Sequence, residues 1–149
     1  MEIMDLLDNT ALMAALLAWF IAQVIKVVLV FFEERRFDLA KMISSGGMPS
    51  SHSATVSALV VSSAKMCGIA SPEFALAFIL AFIVMYDAAG VRRAAGEQAK
   101  VLNKIVHDIS LGDTKYLDKN LKELIGHTPL QVIMGALLGI AIGVFMPVF

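Results

Sequence analysis

Residues 10–32, TALMAALLAWFIAQVIKVVLVFF, form an apolar run broken by few polar groups. A helix rises about 1.5 Å per residue, so a run of this length covers the ~30 Å hydrocarbon core of a bilayer. The segment before it carries Glu2, Asp5 and Asp8 and no Lys or Arg. It lacks the basic start and the small-residue cleavage site of a signal peptide, so the run reads as an uncleaved span. The rest of the chain agrees. Hydrophobic residues make up 58% of 149 and charged residues 17%, too apolar for an ordinary soluble domain.

Three further runs follow. Residues 53–71 are diluted by serines and Lys65. Residues 73–90 are opened by Ser71-Pro72-Glu73, a good helix start. Residues 128–149 close the chain. The expected fold is therefore all-α: one domain, 1–149, forming an integral membrane bundle of four transmembrane helices. Between the third and fourth spans, Ala95, Ala99, Leu102, Ile105, Val106 and Ile109 share one helical face. Leu117, Leu121, Leu124 and Ile125 form a second stripe after Gly112-Asp113-Thr114. Residues 94–125 thus predict two amphipathic helices at the membrane interface.

Four spans place the connections 33–51 and 91–126 on one side. Ten of the 12 Lys and Arg residues lie in them. The positive-inside rule assigns both to the cytoplasm, in a multi-pass plasma or inner membrane protein. Gly135, Gly139 and Gly143 recur every fourth residue in the last span. Such spacing allows close helix approach and offers a face for a homodimer. The single Cys67 permits no intramolecular disulfide.

Gly46-Gly47-Met48-Pro49-Ser50-Ser51-His52 opens the second span. The glycines allow a tight loop, and Pro49 suits the first helical position. The first-turn N–H groups and the helix dipole favour an anion. The bland alternative is a Gly-Pro loop with Ser capping a membrane helix. Topology gathers other groups at the same membrane face: Lys26, Arg35 and Arg36 near the end of the first span, Asp87, Arg92 and Arg93 at the end of the third, and His127 at the start of the fourth. Several cations and a helix start suit a phosphate dianion. Two histidines offer a nucleophile and an acid near neutral pH. His107, among charged residues, reads as a surface histidine. There is no Cys/His cluster with metal spacing and no Walker-type loop, so no cofactor or metal is expected, and no nucleic-acid partner.

These motifs resemble those of the type-2 phosphatidic acid phosphatase and vanadium-dependent haloperoxidase superfamily, and more closely its divergent acid phosphatase/haloperoxidase-related branch. The superfamily pattern is a Lys followed by Arg-Pro, then Pro-Ser-Gly-His, then Ser-Arg, a His and an Asp. Pro49-Ser50-Ser51-His52 is similar to the second motif, with Ser51 where Gly is usual. His127-Thr128-Pro129, followed by Val132 and Gly135, resembles the histidine end of the third. Asp87 through Arg93, with Gln98 and Asn103, looks like the branch's own signature. The resemblance covers about residues 23–140. Three departures stand out: neither Arg35 nor Arg36 is followed by Pro, the segment between the third-motif arginine and histidine is expanded, and Gln131 stands where Asp is usual.

The resemblance implies metal-free hydrolysis of a lipid phosphomonoester or pyrophosphate through a phosphohistidine. His127 would be the nucleophile and His52 the acid. Asp87 would stand in for the missing Asp. Lys26, Arg35 or Arg36, Arg92, Arg93, Gly47, Ser50 and Ser51 would hold the phosphate. The competing class is a non-catalytic protein that binds anionic lipid or scaffolds a partner. A transporter subunit is a weaker third reading.

Overall fold

The computed structural model describes residues 4–35, 47–90, 96, 98–105 and 128–148. These are helical throughout apart from turns and caps, with no strand among them. The helices are α1 (Met4–Leu7), α2 (Thr10–Glu34), α3 (Ser51–Cys67), α4 (Pro72–Ala89) and α5 (Pro129–Phe145). Residues 98–105 are also helical. The remainder of the expected amphipathic segment 94–125 lies outside the described residues, apart from Gly96.

Local chemistry sets the boundaries. Asn9 caps α2, its side-chain oxygen accepting the Leu12 N–H at 3.0 Å. At the other end Arg35 takes the left-handed conformation (φ 53°) and its N–H bonds to the Phe31 carbonyl. Ser71 caps α4, with Pro72 at the first helical position and Glu73 in the first turn, where an acid suits the dipole. Thr128 and Gln131 form a reciprocal capping box at the start of α5. Pro49 departs from its expected place. It is not the first residue of α3 but precedes the N-cap, Ser50, after a cis Met48–Pro49 peptide bond.

α3 is the central element: α2, α4 and α5 all pack on it. It is also the most polar of the long helices, with Ser51, Ser53, Ser57, Ser62 and Ser63 buried. Small side chains let neighbouring helices approach, and some of the hydroxyls find backbone or side-chain partners nearby, although Ser62 Oγ has none among the described residues. Thr55 Oγ1, for example, donates to the Ser51 carbonyl one turn back, at 2.8 Å. The interior is built from small residues. Ala14, Ala18 and Ala22 of α2 meet Ala54 and Ala58 of α3, with Leu138, Ile142 and Met146 against them. Large apolar side chains point outward, among them Leu76, Ile79, Phe82, Ile83 and Tyr86 of α4. A water-facing surface of that kind would be unstable to association. Set against lipid it is the expected arrangement.

Two helical segments, Thr10–Phe32 and Pro72–Ala89, are long and apolar enough to cross a bilayer, not the four expected. α5 is apolar but has 17 residues, and α3 has 17, with five serines and one threonine interrupting its apolar pattern. The physical reason differs for each. α5 is short of a full span as a helix, and α3 is wrapped by other helices, so its side chains need not satisfy lipid.

The glycine stripe is used within the chain. Gly135, Gly139 and Gly143 are buried against α3. A Cβ on Gly135 would overlap the Ser50 carbonyl, and one on Gly139 the Ala54 carbonyl. One on Gly143 would lie 2.7 Å from Val61 Cβ. The face offered to a second copy is therefore occupied by α3, because only glycine lets two backbones come this close. α3 and α5 consequently run parallel in near contact, and their N-termini emerge side by side.

Candidate functional site

α2 runs antiparallel to α3, which brings the C-terminal half of the apolar run to the start of α3. There Lys26 is 2% exposed, and its Nζ donates to Ser51 Oγ at 3.2 Å. The aliphatic stem of the lysine lies under the loop. A Cβ built on Gly47 would be 3.8 Å from Lys26 Cγ and Cδ, and Gly47 itself has φ +89°, a conformation that favours glycine. Among the described residues no carboxylate pairs with the Lys26 ammonium. A buried cation whose protein partner is a neutral hydroxyl is poorly compensated, and an anion bound beside it would relieve the cost.

The first turn of α3 is partly closed by its own cap. Ser50 is fully buried. Its hydroxyl accepts the Ser53 N–H at 3.4 Å and the Ser53 hydroxyl at 3.1 Å. The Ser50 N–H in turn donates to the Gln131 carbonyl at 3.0 Å. This last bond ties the start of α3 to the first turn of α5. Two helix N-termini with parallel dipoles thus lie together next to one buried ammonium, which makes the local field favourable to negative charge.

The other expected site residues are placed as follows. His52 is half-buried in the first turn of α3, next to Ser51. Asp87 is half-buried in the last turn of α4. α4 folds back on α3 through the short turn at 68–71, so Asp87 lies toward the same end of the bundle. Arg35 is exposed and serves as the C-cap of α2. Arg36, Arg92, Arg93 and His127 lie outside the described residues, as do Gly46 and His107. Gln131, at the place of the usual Asp, directs its amide oxygen to the Thr128 N–H at 3.1 Å. That oxygen is committed to the helix cap.

Two features escaped the sequence reading. Lys65, at the far end of α3, donates to the carbonyls of Gly143, Val144 and Met146 at 3.2, 2.8 and 2.6 Å. It closes the C-terminus of α5, where a cation also complements the dipole. Nothing in its sequence position shows this, because the partners are some 80 residues away. Gln23 is buried in α2, with its Oε1 lacking a hydrogen-bond partner among the described residues. The available signal was an amide three residues before Lys26 in an apolar run.

The comparisons with known proteins converge on one group. The chain is similar to the "Uncharacterized membrane protein YuiD" of Bacillus subtilis (strain 168), 44% identical over 156 aligned positions that cover 98% of this chain and 99% of the relative. No solved structure matches it. The relative is named a membrane protein, in keeping with the outward-facing apolar side chains and the two span-length helices, and the chain is membrane-associated. Residues 7–142, which include every long helix almost to its end and the whole Lys26–Ser51 site, match the divergent PAP2 family, and the chain belongs to that family.

Proposed function

We propose that this protein is a multi-pass membrane phosphatase that hydrolyses a lipid phosphomonoester or pyrophosphate at the cytoplasmic leaflet. The observation that carries the reading is the Lys26 Nζ to Ser51 Oγ contact, 3.2 Å long and buried, at the N-terminus of α3. It joins the first and second motifs of the resemblance through space. The phosphoryl group is held by Lys26, the first turn of α3 and the arginines Arg92 and Arg93, with Arg35 or Arg36 at the rim. A ring nitrogen of His127 attacks phosphorus. The bond to the leaving oxygen breaks as His52 gives that oxygen its proton. Water then attacks the phosphohistidine, His52 takes a proton from it, and phosphate leaves. Positioning and cationic stabilisation of the transferred group supply the catalysis. Asp87 holds the far nitrogen of His127, because the Gln131 oxygen is engaged in its own helix cap.

The test is phosphate release by the purified protein from a panel of lipid phosphates, with His127→Ala as the control. Release that His127→Ala abolishes supports the reading. A second reading is a site that binds anionic lipid without cleaving it. It is favoured by the capping role of Gln131, which leaves no carboxylate at the usual place of the Asp. Binding of phosphatidic acid vesicles with no phosphate release from any lipid would select it.

A further inference from the structure

α3 is not covered equally on all sides. Its Ser51 bonds to Lys26 of α2, and its Ala54 and Ala58 meet the alanines of α2. The glycines of α5 lie against Ser50, Ser53, Ala54, Ser57 and Val61. α4 packs on α3 as well, and Val56 and Ser63 are buried on the side turned away from α2 and α5. α2 and α4 form no packed interface with each other. Between them α3 shows a strip of half-buried residues, His52, Thr55 and Leu59. Spacings of three and four place these on one helical face. The gap between α4 and α5 is different. It opens only at Val60 and Ala64, because Ser53 and Ser57, nearer the start of α3, are buried. The strip that begins at the Lys26–Ser51 site is therefore the one between α2 and α4.

Beyond His52 the strip offers nothing polar. The Thr55 hydroxyl donates to the Ser51 carbonyl at 2.8 Å, so it is spent on the helix backbone. Leu59 follows one turn later. Eight residues of helix put Leu59 about 12 Å from Ser51, within the ~15 Å hydrocarbon depth of one leaflet. In the phosphatase reading His52 gives its proton to the leaving oxygen, and that oxygen carries the lipid. His52 heads the strip, so a phosphoryl group at Lys26 and Ser51 delivers its hydrocarbon into it. We propose that the hydrocarbon chain of the lipid phosphate lies along α3 between α2 and α4, against Thr55 and Leu59, and that Leu59 separates lipid phosphates from water-soluble ones. A charged end and an apolar end of one molecule then meet the two ends of one continuous surface. Ordinary bilayer lipid covers the outward faces of α4 and α5, which carry no such cation. The inference rests on the phosphate-site reading given above and adds the place of the chain.

The experiment reconstitutes the full chain in phosphatidylcholine vesicles with phosphatidic acid that carries a diazirine in the middle of one chain. After photolysis, adducts are mapped by mass spectrometry, and the same diazirine in phosphatidylcholine gives the background. The phosphatidic acid probe is expected to label residues 55–59 at least about tenfold more than the background probe, the scale of one hydrogen bond to a charged group. Lys26→Met should abolish that enrichment. Leu59→Trp fills the strip and is expected to weaken phosphatidic acid binding about tenfold, the worth of two buried methylenes, while inorganic phosphate binding stays within about twofold. Leu137→Trp, on the outward face of α5, should change neither. If Leu59→Trp does not fold, the labelling of the wild-type protein decides the matter. Labelling spread evenly over outward residues such as Leu76 and Leu137 would overturn the inference and leave the site reading standing. So would a Leu59→Trp protein that binds phosphatidic acid unchanged, or that loses phosphate and phosphatidic acid equally. If the wild-type protein binds neither, or if Lys26→Met binds both undiminished, the site reading itself fails and this inference with it.

Discussion

Lys26 is the residue on which stability and function pull in opposite directions. A buried ammonium held by one neutral hydroxyl is costly to the fold. Lys26→Met removes that cost and keeps the stem that packs beneath Gly47. The expected outcome is a thermal midpoint equal to or above wild type, together with phosphate or vanadate binding weakened by more than about tenfold. A lysine with a purely structural role would give the reverse pattern, lower stability and unchanged binding. The two histidines are separated by a trapping experiment. After a rapid quench with substrate, an acid-labile phosphoryl adduct is expected on His127 and not on His52. An adduct on His52 would show that the roles are exchanged. Gln131 belongs to the same scale. Its oxygen caps α5, so Gln131→Ala is expected to cost about 1 kcal/mol of stability, whereas Gln131→Glu preserves the capping box. Asp87→Asn is expected to reduce phosphate release more than Gln131→Ala does.

Among the elements, α3 and α5 depend on each other most closely. Gly139 has no room for a Cβ, because the Ala54 carbonyl occupies its place. Gly139→Ala must separate two backbones, and it is expected to destabilise by about 1–3 kcal/mol, the usual cost of overpacking. Leu137→Ala, on the outward face of the same helix, is expected to have a small effect. Thermal unfolding in detergent compares the two. If both variants behave alike, the parallel α3–α5 contact is not what orders the bundle. At the other end of α3, Lys65→Met deletes the cation that closes α5. A loss of about 0.3–1 kcal/mol is expected, the scale of a cation at a helix C-terminus. Phosphate binding should not change, because the cap lies a helix length from Ser51.

At the scale of the whole molecule, interior and surface are exchanged relative to a water-soluble protein. Alanine, glycine and serine fill the centre, and leucine, isoleucine and phenylalanine face outward. Such a surface requires lipid, and the protein is expected to stay in the membrane fraction after alkaline carbonate extraction. A cytoplasmic orientation for the connections 33–51 and 91–126 is expected from charge, since ten of the 12 Lys and Arg residues lie in them. In a Cys67→Ser background, a cysteine at Lys115 should resist impermeant maleimide in intact cells and react after lysis. Labelling of that cysteine in intact cells would reverse the orientation and move the site to the opposite leaflet.

The sequence by itself determined what depends on local spacing and transfer free energy. Hydropathy marked α2 and α4, and the Ser71-Pro72 and Thr128-Pro129 starts marked where α4 and α5 begin. A lysine within an apolar run and a Gly-Met-Pro-Ser-Ser-His loop expected at the same membrane face already suggested an anion site. Only the tertiary structure decided what each helix meets. Hydropathy measures preference for lipid, so it undervalued α3, whose neighbours are other helices, and it read α5 as a full span. Small-residue spacing signals close approach but not the partner, so the glycine stripe suited a second copy as well as α3. The Ser50–Gln131 bond, the Lys65 cap and the burial of Gln23 beside Lys26 join or enclose groups by packing. Packing of side chains distant in sequence leaves no periodic mark in the chain, and it is fixed only when the helices assemble.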